Sequence, residues 1–285
     1  MSAGVGSAVG RLGGWSRRIG GSKTLGWGAG LALFWVVLAV AAPLISPYDP
    51  NLQDLTATLR PPALAHPFGT DNFGRDVLSR IMWGTRLDLS MGLLALVSPF
   101  VTGCLIGLVS GYFGGIVDIL LMRLLDVTMS FPFFVLVIAI ISVLGPGLAS
   151  FFIAVALVAW VSYARLVRSQ VLILKHADFV LAARSLGYSH LRVMVRHILP
   201  NAIVPAAVFS MSDVVITVLL GSSLSYLGLG VQPPTPEWGV MIAEGQNFLA
   251  TAWWICFFPG LAIVFLALGF SLLADGLAER FGTRD

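Results

Sequence analysis

The chain reads as an all-α membrane protein with six transmembrane helices and both termini on the cytoplasmic side. Three observations point there. The 285 residues are 57% hydrophobic and 11% charged, and the mean hydropathy of +0.90 belongs to a lipid-embedded chain rather than to a soluble one with a charged surface. Six apolar stretches are long enough to cross a hydrocarbon core about 30 Å thick, which takes roughly 20 helical residues. The Lys and Arg residues are biased to one side of the resulting topology, as the positive-inside rule requires. The alternating pattern of a membrane barrel is absent. Because backbone in lipid must satisfy its own hydrogen bonds, apolar runs of this kind form helices.

The spans fall near 25–46, 89–111, 117–143, 149–168, 202–227 and 254–275. Residues 1–24 form a cytoplasmic segment carrying Arg11, Arg17, Arg18 and Lys23. A secretory leader is the rival reading of the first apolar stretch, with "AVAAP" at 39–43 as a mimic of a cleavage site. That stretch runs for about 22 residues, beyond the usual 7–15 of such a leader, so a retained helix is expected. The loop between spans four and five adds Arg165, Arg168, Lys175, Arg184, Arg192 and Arg196 on the same side, and Arg123, Arg280 and Arg284 complete thirteen of the seventeen basic residues. The other four, Arg60, Arg75, Arg80 and Arg86, sit in the extracytoplasmic loop 47–88, against the rule. The first part of that loop is Pro-rich and is expected to be irregular. The second places Val77, Leu78, Ile81 and Met82 at helical spacing, which suits an amphipathic helix lying at the interface or a plain lead-in to span two. The remaining unit, 89–275, is a five-helix core including the cytoplasmic loop 169–201, and 276–285 form a cytoplasmic tail.

"DFVLAARSLGYSHLRVMVRHILPN" is a charged island in this oily chain. Asp178 is placed to cap a helix running from Phe179 to Leu186. Gly187 suits the left-handed position that ends it, and Ser189 caps a second helix running through His197 before Pro200 opens span five. A helix of about eight residues is marginal in water and needs a support. The expected support is a partner at the cytoplasmic face, with Ala182 and Ala183 allowing close backbone approach and Arg184 free to pair with acidic groups. An arginine at Ala183 or a tryptophan at Gly187 should then abolish activity.

On these residues the sequence resembles the EAA loop of ABC importer permeases. Ala182, Ala183, Gly187, Leu199 and Pro200 match at the right spacing, while Leu181 stands at the glutamate position and His197 at the isoleucine position. "FGTDNFGRDVLSRIMWGTRLDLSMG", "GGIVDILLMRLLDVTMSFPFFVLVIAI", "LGPG" and "SSLSYLGLGVQPPTPEWGVMI" further resemble the shorter membrane subunit of the dipeptide/oligopeptide/nickel subfamily, over about 25–280. The resemblance implies the type I ABC importer permease fold and a coupling helix at Asp178, Phe179, Ala182, Ala183, Arg184 and Gly187, followed by Leu199 and Pro200. It also implies a second permease subunit, two ATPase subunits or one fused ATPase, and an extracytoplasmic solute-binding protein. ATP and Mg would bind the ATPase partners, with no cofactor on this chain. The setting is the plasma (inner) membrane of a bacterium or archaeon, the solute a di- or oligopeptide. Nickel or another small solute is the alternative, and a self-contained ion-coupled secondary transporter is the rival from another class.

Several features bear on that choice. Intramembrane carboxylates are costly and point to function. Asp126 is expected to pair with Arg123 or Arg165, or to join Ser130 on a pathway. Asp213 forms a polar stripe with Ser210, Ser212 and Thr217 and is the stronger pathway candidate. Pro132 should kink span three. Gly103, Gly107 and Gly111 permit close helix contact, with the partner permease or within the chain. Glu237 and Trp238 lie in a stiff outer loop that touches the binding protein or caps the pathway, and Trp253 and Trp254 are expected to anchor at the interface. Cys104 and Cys256 are read as free thiols. The four histidines are scattered, "GGSKT" lacks the spacing and the preceding strand of a phosphate-binding loop, and no catalytic or metal-ligand constellation appears. The basic balance follows membrane sidedness rather than nucleic-acid binding, and the chain itself is read as not an enzyme.

Overall fold

A computed structural model describes residues 23–282. Arg11, Arg17, Arg18, Arg284 and most of "GGSKT" lie outside them. The described residues form helices with no named strand, and five helical runs are long and apolar enough to span a membrane; a sixth arises if one sharply bent pair counts as a single span.

Helix α1 (Lys23–Ile45) packs along the C-terminal helix α13 (Trp254–Phe281). Gly28 and Gly276 permit this, since a Cβ at either would meet backbone of the other helix within 2.7 Å. The opposite face of α1 presents Leu33, Val37, Val40 and Leu44 outward, as a lipid-facing helix does.

Helix α2 (Val77–Leu94) leads into α3 (Val97–Phe113) as one 37-residue run. At 1.5 Å per residue this is about 56 Å, well beyond the hydrocarbon thickness. The start of α2 is therefore the lead-in to span two, not an interfacial amphipathic helix. Val77, Ser79, Arg80, Ile81 and Asp88 are buried in the protein, against α1, α11 (Val204–Tyr226), α12 (Trp238–Gly245) and α13.

The third span is broken rather than kinked. Helices α4 (Gly115–Met129) and α5 (Phe133–Leu144) meet at 84°. Pro132 caps α5 and lacks the N–H that would continue α4, and the Ser130 hydroxyl bonds back to the Asp126 carbonyl. The fourth span, Leu148–Leu174, is α6 (Leu148–Val158) followed by α7 (Trp160–Leu174).

Helices α3 and α7 pack tightly along one another. Each glycine of the α3 stripe meets α7: a Cβ at Gly103 would come within 2.4 Å of the Trp160 carbonyl oxygen, one at Gly107 within 2.4 Å of that of Ala164, and one at Gly111 within 2.9 Å of Val171. The stripe serves packing within the chain.

Candidate functional site

Three places concentrate polar chemistry. The first is the loop after α7. Helix α8 (Asp178–Ser185) is followed by the short turn α9 (His190–Arg192), a π-helical segment (Val193–Ile198) and a last turn, α10 (Leu199–Ala202), that leads into α11. Ala177, not Asp178, holds the N-cap position; Asp178 is the first helical residue, where its carboxylate still favours the positive end of the helix dipole. At the other end Gly187 adopts φ +76°. Its N–H donates to the Arg184 carbonyl and that of Tyr188 to Ala183, which is a Schellman closure. The Ser189 side chain then accepts from the Arg192 N–H.

The loop is pinned to the end of α3. The Tyr112 hydroxyl meets His190 Nδ1 at 2.8 Å, Arg184 lies over the Tyr112 ring at 5.0 Å, and Lys175 donates to the Gly111 carbonyl at 3.0 Å. Arg168 grips Asp118 through two bonds of 2.6 and 2.7 Å, with Ser110 on the same carboxylate. Val180 and Ala183 are buried against Tyr112, Val193 and Ile198. Ala183 thus packs inward, and Arg184 is exposed beside the Tyr112 ring. Ala182 faces out. So do Phe179, Leu181, Leu186 and Leu191, the last two 73% and 67% exposed. Sequence reasoning named Phe179 but gave no role to Leu181, Leu186 and Leu191; their signal was several large hydrophobic residues in a segment too polar to span. Leu199 is partly buried and Pro200 exposed at the entry to α11.

The second place is a cavity of about 290 Å³ between α4, α5, α7 and α11. Asp213 and Thr217 line it together with Thr128 and Ser162. Asp213 is 9% exposed and accepts from the Tyr163 hydroxyl at 2.8 Å. Ser210 lies instead on a separate apolar groove. Asp126 and Ser130 are exposed near the α4–α5 break. No ion pair joins Asp126 to Arg123 or Arg165 among the described residues, and the Arg165 guanidinium meets the Met129 sulfur instead.

The third place is a buried knot on the opposite face from the loop. Arg75 bonds Asp71 at 2.6 Å and Glu244 at 2.7 Å, and Arg80 reaches the same Glu244 oxygen at 3.2 Å. Both arginines are 1% exposed. The Pro-rich segment before α2 is irregular apart from the single turn Leu55–Ala57, as expected, and its end is tied down: His66 pairs with Asp76, which caps α2, and Trp254 donates to the Thr70 carbonyl. Beneath the knot, Glu237 caps α12 through the N–H groups of Gly239 and Val240. Asp88 accepts from Ser222 and from the Trp238 N–H, next to Glu237 in the chain. Glu237 and Trp238 are fully buried, so neither is a surface contact, and Trp254 is buried rather than an interfacial anchor; Trp253 is half exposed. Cys104 and Cys256 are free thiols. No metal-ligating cluster occurs among the described residues.

An internally braced short helix carrying an outward apolar patch, on a bundle of membrane-length helices, is the form of a membrane subunit that engages another protein. Residues 103–284 match the family of binding-protein-dependent transport system inner membrane components. The chain belongs to that family. This transport component is 38% identical over 245 residues to the dipeptide transport system permease protein DppC of Alkalihalophilus pseudofirmus, covering 86% of this chain and 81% of that one. Identity is 39% over 253 residues to the di/tripeptide transport system permease protein DppC of Pseudomonas aeruginosa (87% and 84% covered). It is 38% over 253 residues to the glutathione transport system permease protein GsiD of Pectobacterium atrosepticum (88% and 84% covered). The chain is thus a multi-pass permease subunit of a peptide-type ABC transport system with other subunits.

Proposed function

We propose that this permease carries short peptides inward, in a heterodimer with a second permease, receiving them from an extracytoplasmic binding protein. ATP and Mg act on two ATPase subunits, or one fused ATPase, against which α8 docks. In this reading both termini and the 169–201 loop face the cytoplasm of a bacterium or archaeon, and the knot of Arg75, Arg80 and Glu244 faces outward. The chain supplies the path and the lever, and binds no cofactor of its own. Asp213 and Thr217 belong to the path; Asp126, Ser130 and Ser210 flank it.

The carrying observation is the exposure of Phe179, Leu181, Ala182 and Leu186 on a helix whose other face is buried in its own protein. Large apolar groups on a wet loop are a partner surface. Leu186→Arg tests it. The variant should insert normally, lose co-purification with the ATPase, and lose ATP-dependent uptake of a radiolabelled dipeptide by vesicles bearing the whole system. Uptake at the parent rate by Leu186→Arg, or uptake that persists without any ATPase, overturns the reading.

A further inference from the structure

The Asp213 cavity has a chemical bias that the importer reading leaves unused. Tyr163 is fully buried, and its hydroxyl is committed to Asp213 Oδ2 at 2.8 Å. The other carboxylate oxygen, Oδ1, has no hydrogen-bond partner among the described residues, and no Lys, Arg or His pairs with Asp213. A carboxylate inside a membrane span is costly without a countercharge. The Tyr163 bond fixes its orientation without neutralising it.

The walls of the cavity agree with that charge. Ser162 and Thr217 bring hydroxyl groups, and Phe131, Phe133 and Phe209 bring aromatic rings; no cationic side chain lines it. A carboxylate, hydroxyl acceptors and aromatic faces are the groups that hold an ammonium ion. An anion would find no donor there beyond hydroxyls and would meet the charge of Asp213.

We propose that this cavity is a cation-selecting station which binds a primary ammonium group through Asp213 Oδ1, such as the amino terminus of a short peptide in transit. Tyr163 acts as a positioning residue that occupies Oδ2 and turns Oδ1 toward the cavity. The station deepens the importer reading and rests on it only for the bearer of the ammonium group.

The test uses the assembled transporter with Ser162→Cys as reporter, Cys256→Ala to remove the other accessible thiol, and the buried Cys104 left in place. Labelling rates are compared for two methanethiosulfonate reagents, the cationic ethylammonium and the anionic ethylsulfonate. The parent should prefer the cationic reagent. Asp213→Asn should lower that preference roughly tenfold, the effect of one unit charge at a few ångström in a partly hydrated cavity, and Asp213→Glu should restore most of it. Tyr163→Phe should weaken it less. Ala-Ala should slow labelling, and N-acetyl-Ala-Ala should not. An unchanged preference in Asp213→Asn that is otherwise intact, or equal protection by both dipeptides, overturns the proposal. If the charge preference is present but no ATP-dependent peptide uptake is found, the importer reading fails and the cation station stands. Normal uptake with no charge preference removes the cation station and leaves the importer reading standing.

Discussion

Gly107 shows what a single missing Cβ does in this protein. An added methyl would lie 2.4 Å from the Ala164 carbonyl oxygen, which belongs to backbone and cannot swing away. Gly107→Ala must push α3 from α7, at a cost of about 1–3 kcal/mol as an overpacking change. A lower melting temperature of the purified complex in detergent is the expected result. Gly30→Ala is the control, because nothing lies within 4 Å of its new methyl; it should melt no lower than the parent. The buried acid pair makes a second residue-scale case. Asp88 is fully buried and accepts from the Ser222 hydroxyl and the Trp238 N–H, and Asp88→Asn keeps an acceptor oxygen there. It should be tolerated. Asp88→Ala leaves buried polar groups unmatched and should cost about 1–3 kcal/mol in the same melt. Asp213 was visible in the sequence because a carboxylate stands out within an apolar run. Asp88 and Glu237 were not, since both sit at span boundaries where a charge looks ordinary, and only the fold shows them meeting.

At the scale of elements, α8 and its terminating glycine were legible, because small residues, a positive-φ glycine and a following Ser cap are local signals. Which face of α8 turns inward was not, since eight residues carry too little periodicity to choose. Ala183→Arg consequently tests the folding of the loop rather than docking, and Ala182→Arg is the docking variant. A residue with a Cβ at Gly187 meets no clash but must adopt a left-handed conformation, at about 1–2 kcal/mol. Gly187→Ala should therefore raise hydrogen exchange in residues 178–190 while leaving the spans protected. The π-helical segment escaped notice for a different reason: hydrophobic spacing does not record whether a bond runs to the fourth or the fifth preceding residue. Pro200, which has no N–H, was the clue, together with Asn201, whose side chain donates to the His197 carbonyl at 3.0 Å. One extra residue in a turn sets the rotation of α8 against α11. Deleting exposed Val195 should restore α-helical register and turn the two apart by about 100°. Membrane insertion should survive and ATPase co-purification should fall; full co-purification would show that the π segment carries no orientation.

For the molecule as a whole, five of the six expected spans, their order and the loop that precedes α11 followed from apolar run lengths. The broken third span did not, because hydropathy is blind to direction and Pro132 signals a kink without fixing its angle. Two of the four arginines that offended the charge rule find their reason here. Arg75 and Arg80 are not a basic surface but the interior of a knot closed by Asp71 and Glu244. Glu244→Gln leaves two buried cations with one carboxylate and should destabilise the fold by about 3 kcal/mol. Thermal melts would register this, and a second change, Arg80→Met, should recover part of it. The knot also sets an order of events during synthesis. Asp71 is made with Arg75, but Glu244 lies 169 residues downstream of Arg75, roughly 10–30 s later at ordinary translation speeds. Until the ribosome delivers α12, the first third of the chain holds Arg75 and Arg80 against Asp71 alone, so a nascent chain cut short before Glu244 lacks the carboxylate that closes the knot.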